Sequence, residues 1–271
     1  MEWFEAVILG LVQGLTEFLP VSSSGHLEIG KVLLGVQATE DLMFTTMVHA
    51  ATVLSTIVVF RKQILAILKG FFKFKYNDET DYLFKVAVSM VPIMIVGLFF
   101  KDQVEAIFGS IKVVGFALLL TSALLFFSDL ASRRDRVSRS DKGVNGARNG
   151  ISYWQAFVVG LGQALAVIPG LSRSGTTIST GLICGVRRDV MAQFSFLMVL
   201  IPILGETLLE AVGGEFTVTT VGALPLALGF VSAFVSGLFA CKVMIALVKK
   251  AKLSWFAIYC LVAAACIFIF A

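Results

Sequence analysis

The sequence predicts an all-α polytopic membrane protein, built as an inverted-topology repeat with six transmembrane helices and two re-entrant helical hairpins. Three observations predict this fold. The first is composition: 58% of the 271 residues are hydrophobic and 15% are charged, whereas a soluble domain is about half apolar and about a quarter charged. The second is a series of long apolar segments. The third is a motif that occurs twice, 150 residues apart.

Six segments are apolar enough, and long or nearly long enough, to span a bilayer, which takes about 20 residues. Three of them fall in each half of the chain. They are 43–60, 83–100, 112–128, 191–212, 221–241 and 254–270. We therefore divide a single membrane domain, 1–271, into a first repeat, 1–128, a cytoplasmic linker loop, 129–150, and a second repeat, 151–271.

The duplicated motif lies outside these six segments. Its two copies begin at Gln13 and Gln163 and align without a gap, and each copy is interrupted by Pro, Ser and Gly. The flanking apolar stretches are 3–19 with 24–36, and 154–168 with 174–186. Because each stretch is too short to span singly, each pair predicts a re-entrant hairpin. Interrupted segments at matching places in two halves also indicate a binding site.

The distribution of basic residues predicts the orientation in the membrane. Three spans per repeat make the two hairpins enter from opposite faces. Seventeen of the 22 Lys and Arg residues then fall on one face, and Lys31, Lys101 and Lys112 fall on the other. By the positive-inside rule the richer face is cytoplasmic. We therefore expect both termini on the outer side, with the first hairpin entering from there.

The first motif combines ionisable and hydroxyl side chains inside a membrane segment. Gln13 and Glu17 share one helical face, and three consecutive serines precede His26. A charge at the bilayer centre costs roughly 2.5–3.5 kcal/mol, so such groups are usually functional. Helix capping and turn formation are the alternative role for the serines. A structural ion pair with Arg173 is the alternative role for Glu17.

The second motif favours phosphate binding. Ser172, Ser174 and Gly175 open a helix, whose N-terminus carries partial positive charge and outward N–H groups. Arg173 adds a planar guanidinium that fits two phosphate oxygens. Opposed hairpins, one with Glu17 and one with Arg173, therefore predict a site for a phosphate or a diphosphate.

The same residues can support phosphoryl transfer, which needs a nucleophile, a proton acceptor, charge neutralisation and usually a divalent cation. Ser23 and His26 are both candidate nucleophiles, and Glu17 is a candidate base or metal ligand. Gln13 can add a neutral oxygen ligand for Mg²⁺ or Ca²⁺. The rival interpretation is a transporter or flippase of a phosphorylated lipid, because inverted repeats with broken helices are typical of transporters.

The two motifs closely resemble those of the undecaprenyl-diphosphate phosphatase family, also called the bacitracin resistance protein family. The family patterns are (E/Q)-x-x-x-E followed by P-V-S-S-[ST]-G-H, and P-G-x-S-R-S-x-x-T, which residues 13–26 and 169–177 fit. The resemblance covers essentially the whole chain. It implies a bacterial inner-membrane enzyme that hydrolyses undecaprenyl diphosphate to undecaprenyl phosphate and inorganic phosphate, recycling the carrier lipid for cell-wall synthesis. It also implies dependence on Mg²⁺ or Ca²⁺.

The resemblance also implies which residues form the site. The implied catalytic residues are Glu17, Ser23, His26 and Arg173. The implied phosphate-binding residues are Ser22, Ser24, Gly25, Ser172, Ser174, Gly175 and Thr177, and the implied metal ligands are Gln13 and Glu17. We take Ser23 as the nucleophile, with His26 as the alternative. The expected partners are a prenyl diphosphate lipid and membrane lipid, with a homodimer as a candidate assembly and no nucleic acid. We expect access from outside.

Overall fold

The computed structural model describes residues 1–36, 41–100, 103, 111–138, 147–212, 221–250 and 252–270. Throughout these residues the regular secondary structure is helical. The helices are α1 (Trp3–Thr16), α2 (Ser23–Leu34), α3 (Asp41–Phe71), α4 (Asp78–Phe99), α5 (Ile111–Ser138), α6 (Tyr153–Leu165), α7 (Arg173–Ile183), α8 (Arg188–Val212), α9 (Ala223–Lys250) and α10 (Ser254–Phe270). A 3-10 turn, Arg148–Gly150, precedes α6.

Several of these helices can cross a membrane. Within the described ranges, five are long and apolar enough, namely α3, α4, α5, α8 and α9. Helix α10 is apolar but has 17 residues, which is fewer than the roughly 20 that a span needs. The prediction of an all-helical, multi-pass membrane protein is confirmed, and the sixth span, 254–270, stays a prediction.

Two helices continue past the ends of their apolar segments. Helix α3 has 31 residues, about 46 Å at 1.5 Å per residue, whereas the hydrocarbon core is about 30 Å thick. The predicted span ends at residue 60, and we expected a loop to follow. The basic segment after residue 60 is instead helical as far as Phe71. Helix α5 likewise continues to Ser138, so the assigned linker 129–150 begins as helix. Its residues 139–146 lie outside the described residues.

The duplicated motifs form two pairs of short helices, α1 with α2 and α6 with α7. These helices have 14, 12, 13 and 11 residues, so each is shorter than the hydrocarbon core. The turns of the two pairs contact each other. Ser174 Oγ donates to Leu19 O at 3.2 Å, and Gly170 N donates to Ser24 Oγ at 3.4 Å. Gly170 has φ of 85°, and a Cβ there would lie 2.7 Å from Val114 Cα, so this contact requires glycine.

The first helix of each pair packs against the fourth helix of the other half of the chain. Helix α1 lies on α9, where Gly10 faces Gly229 and Ser232 and Gly14 faces Ser236. Helix α6 lies on α4, where Gly160 faces the backbone of Ser89. Small residues at these contacts allow the helix axes to approach closely. The two helix pairs are thereby anchored on opposite halves of the molecule.

A buried ion pair attaches the start of the second helix pair to α4. Lys85 Nζ lies 2.5 Å from Asp81 Oδ2, and both side chains are almost completely buried. Lys85 also donates to Arg148 O at 2.6 Å, and Tyr153 OH donates to Asp81 Oδ1 at 3.0 Å. Because Arg148 lies in the 3-10 turn and Tyr153 begins α6, this network positions the second pair.

Candidate active site

Serine caps begin the second helix of each pair. Ser22 Oγ accepts a hydrogen bond from Gly25 N at 3.2 Å, and Ser172 Oγ accepts one from Gly175 N at 3.0 Å. Capping, the alternative role for the serines, is therefore confirmed for Ser22 and Ser172. The N–H groups of Gly25 and Gly175 point at these caps.

Ser23, Glu17 and Gln13 form a chain of hydrogen bonds across the turn between α1 and α2. Ser23 Oγ donates to Glu17 Oε2 at 2.5 Å, and Gln13 Nε2 donates to the same oxygen at 2.9 Å. A nucleophile needs a base within hydrogen-bond reach, and the base in turn needs an orienting group. The hydrogen bonds of Ser23 and Gln13 to Glu17 have the geometry that both conditions require.

A cavity of about 290 Å³ lies between the two turns. Most of the predicted site residues line it, and these are Glu17, Ser22, Ser23, Ser24, Ser172, Arg173 and Ser174. Polar side chains of α2 and α3 extend the lining away from the turns, among them Glu28, Lys31 and Thr45. The cavity therefore joins residues of both copies of the motif in one polar space.

Arg173 supplies the positive charge of this cavity near the turns. It begins α7 and lies close enough to act electrostatically on Glu17. Among the described residues, however, its guanidinium makes no hydrogen bond or ion pair, so the direct pair with Glu17 is not formed. A guanidinium without a partner beside a polar cavity is well placed to bind an anion.

Four of the predicted catalytic and phosphate-binding residues do not line the cavity: Gly25, His26, Gly175 and Thr177. His26 Nδ1 lies 2.7 Å from Ser22 O, and His26 Nε2 lies 2.7 Å from Tyr259 OH. Thr177 is fully buried and bonds Ser195 Oγ at 2.6 Å within the protein. Gln13 also lies behind the cavity and contacts it only through Glu17.

Comparison with known proteins shows the family of this chain. The family described as bacitracin resistance protein BacA matches residues 6–266. The chain belongs to the BacA family. The match includes both motifs and every described helix except the first residues of α1 and the last of α10, so both halves of the site lie within it.

Members of the BacA family from several bacteria are similar over nearly their whole length. A protein from Bacteroides thetaiotaomicron named undecaprenyl-diphosphatase is 57% identical over 267 residues, which cover 97% of each chain. Its namesake from Bacteroides fragilis is 55% identical, over 96% of this chain and 95% of the relative. A third, from Christiangramia forsetii, is 49% identical over 100% of this chain and 99% of the relative.

The fold brings one further residue, His49, to the site, and the two sequence motifs do not include it. His49 of α3 lines the cavity, and its Nε2 lies 4.0 Å from Glu17 Oε2. Its Nδ1 lies 2.8 Å from Thr45 O, which orients the ring. The available signal was that His49 is one of two histidines in the chain and lies in an apolar helical segment.

Two oxygen atoms could contribute to a divalent cation site in this BacA family member. In the described part of the chain, Gln13 Oε1 is buried and has no hydrogen-bond partner, while Nε2 of the same side chain donates to Glu17 Oε2. No group of three or more His, Cys, Asp or Glu side chains is arranged for a metal among the described residues. The donor set nevertheless fits Mg²⁺ or Ca²⁺, since Mg²⁺ in particular often takes one or two protein oxygens together with substrate phosphates and water.

Proposed function

We propose that this chain hydrolyses the terminal phosphate of undecaprenyl diphosphate, releasing undecaprenyl phosphate and inorganic phosphate and so recycling the carrier lipid for cell-wall synthesis. One observation carries the proposal: Ser23 Oγ lies 2.5 Å from Glu17 Oε2 in a cavity that Arg173 also lines, and the Arg173 guanidinium makes no hydrogen bond or ion pair with any described residue. Relatives at 49% to 57% identity are named undecaprenyl-diphosphatase. The transporter alternative is not favoured, because binding and moving an anion needs no nucleophile with a base.

In the first step, Ser23 Oγ attacks the terminal phosphorus and gives its proton to Glu17. The bond between that phosphorus and the bridging oxygen breaks, and undecaprenyl phosphate leaves. Glu17 passes the proton to the departing phosphate and becomes a carboxylate again. Arg173 binds the oxygens of the transferred phosphoryl group and stabilises their charge.

In the second step, water attacks the phosphorus that is bound to Ser23, and Glu17 accepts a proton from that water. The bond from phosphorus to Ser23 Oγ breaks, Ser23 regains a proton, and inorganic phosphate leaves. A phosphoenzyme labelled on Ser23 is the expected intermediate. Recovery of the label on His26 would instead support the alternative nucleophile.

A divalent cation completes the proposed site. Gln13 Oε1 and Glu17 would hold it, and when bound it would neutralise charge on the diphosphate. Replacing Gln13 by Leu should raise the Mg²⁺ concentration that gives half-maximal activity. Gln163→Leu is the matched control, since Gln163 is the equivalent buried residue of the second repeat and has Val167 where the first repeat has Glu17.

We further propose an inverted repeat whose two re-entrant hairpins meet at this cavity, in an inner membrane with both termini outside. Reciprocal packing of α1 on α9 and of α6 on α4 supports the repeat. Beyond the turns, the cavity continues along the second half of α2 and the first turns of α3. Those parts of the helices lie on the side that carries few basic residues, so the substrate enters from outside.

The decisive experiment measures phosphate release from a C15 or C55 prenyl diphosphate by detergent-purified protein, with Mg²⁺ or with EDTA. We expect EDTA to abolish release, and Glu17→Ala and Arg173→Ala to lower it about 10²–10⁴-fold. Glu28→Gln is the matched control, because Glu28 lines the same cavity with a half-exposed carboxylate. Folded wild-type protein that binds the lipid and releases no phosphate would refute the proposal.

A further inference from the structure

The last helix contacts the turn that carries Ser23. Tyr259 of α10 stacks on His26, with ring centroids 5.5 Å apart and planes 11° apart. Its hydroxyl lies 2.7 Å from His26 Nε2. The next residue, Cys260, donates from Sγ to Pro20 O at 3.7 Å. Two consecutive residues of α10 therefore contact the turn between α1 and α2.

The hydrogen bonds of His26 determine its tautomer. A backbone carbonyl can only accept, so Nδ1, which lies 2.7 Å from Ser22 O, carries the proton. In the neutral ring Nε2 is then an acceptor, and it accepts the hydroxyl proton of Tyr259. Both ring nitrogens are occupied, which leaves His26 as a bridge between Tyr259 and Ser22.

The Ser22 backbone, to which this bridge leads, is strained. Ser22 has φ of 70° and ψ of 98°, a conformation that residues other than glycine rarely adopt. Its carbonyl accepts from His26 Nδ1 and also from His26 N at 3.2 Å. In the second helix pair the equivalent Ser172 has an ordinary φ of −67°, and Thr176 stands where the first pair has His26. The strain and the histidine therefore occur together, in the pair that carries Ser23.

We infer that Tyr259 is a positioning residue for the proposed phosphatase site: its hydroxyl donates to His26 Nε2 and fixes the ring, and His26 holds the Ser22 backbone that aims Ser23 at Glu17. The inference rests on the proposed function. It gives His26 a role that needs no contact with phosphate, in agreement with its place outside the cavity. Relaxation of Ser22 would move the adjacent Ser23 Oγ away from Glu17.

The test is Tyr259→Phe, which keeps the stacked ring and removes the hydroxyl. We expect kcat for prenyl diphosphate hydrolysis to fall about tenfold with KM changed less than twofold, because positioning of the nucleophile contributes to the chemical step. Tyr82→Phe is the matched control, since the buried Tyr82 hydroxyl has no hydrogen-bond partner in the part of the chain that the structure describes. It should retain wild-type kcat.

Nitrogen-15 NMR of histidine-labelled protein reads the tautomer directly. The chain has two histidines, so His49→Gln assigns the signals of His26. We expect a protonated Nδ1 and an accepting Nε2 in the wild type, and in Tyr259→Phe a shifted Nε2 signal that reports the loss of its hydroxyl donor.

Each outcome is decisive. A protonated Nε2 in the wild type, or an unchanged kcat in Tyr259→Phe beside a shifted Nε2 signal, would overturn the inference. Wild-type protein without phosphatase activity would refute the proposed function and with it the role in positioning a nucleophile. The NMR spectra would still show whether the Tyr259 hydroxyl donates to His26 Nε2, so the two failures can be told apart.

Discussion

Ser23 Oγ donates a 2.5 Å hydrogen bond to Glu17 Oε2 across the turn that joins two short helices. Glu17 follows the last residue of α1 and Ser23 is the first residue of α2, so the bond depends on how the chain reverses between them. This turn also contacts two other parts of the protein. Leu19 contacts the second helix pair, and Pro20 contacts α10. The position of Ser23 therefore depends on contacts with both halves of the molecule.

The first prediction separates Ser23 from its neighbour. Ser23→Ala should lower phosphate release about 10²–10⁴-fold, because it removes the hydroxyl that Glu17 contacts. Ser24→Ala is the matched control, since Ser24 lines the same cavity but bonds Ser22 Oγ and Gly170 N. We expect it to lose no more than about tenfold. Equal losses in the two variants, measured as initial rates at saturating lipid, would argue against Ser23 as nucleophile.

The second prediction concerns His49. His49→Leu should lower kcat about tenfold, because the ring faces Glu17 Oε2 at 4.0 Å inside the cavity. His49→Gln keeps a polar group there and should retain more activity than the leucine variant. Steady-state rates of both variants with the same prenyl diphosphate make the comparison. Wild-type rates in His49→Leu would mean that the imidazole only packs against the cavity wall.

The sequence locates the two helix pairs because their signal is local. The copies of the motif align without a gap, and their Pro, Ser and Gly residues mark the turns directly. The contact between Glu17 and Ser23 could also be expected, because it joins the two ends of one short turn. The sequence alone therefore predicts where the turns lie and which motif residues line the cavity in most cases.

The partners of these turns could not be predicted in the same way. Tyr259 lies 233 residues from His26 along the chain, and no periodicity brings the two together. His49 lies in an apolar helix, where a satisfied structural histidine is as good an explanation. The hydropathy pattern also placed the ends of α3 and α5 too early. It follows only the part of a helix that lies in the bilayer, whereas these helices continue beyond it.

The third prediction concerns the buried pair of Asp81 and Lys85. Lys85→Met should destabilise the protein by about 3–5 kcal/mol, since it leaves the carboxylate of Asp81 buried without its cation. The double variant Asp81→Asn, Lys85→Met should recover part of that loss. Thermal unfolding in one detergent, followed by circular dichroism, gives the comparison. A double variant as unstable as the sum of its two single variants would show that the pair does not act as a unit.

The fourth prediction concerns the close packing of α1 on α9. A Cβ at Gly10 would overlap Gly229 O and Ser232 Oγ, whereas a Cβ at Gly97 would meet nothing within 4 Å. Gly10→Ala should therefore destabilise the protein by about 1–3 kcal/mol and displace the first helix pair, with a loss of phosphate release. Gly97→Ala, in a lipid-facing part of α4, should be neutral or slightly stabilising, because alanine favours helix. Equal unfolding temperatures and equal rates of lipid hydrolysis in the two variants would contradict the prediction. They would mean that α1 and α9 leave room for a methyl group at residue 10.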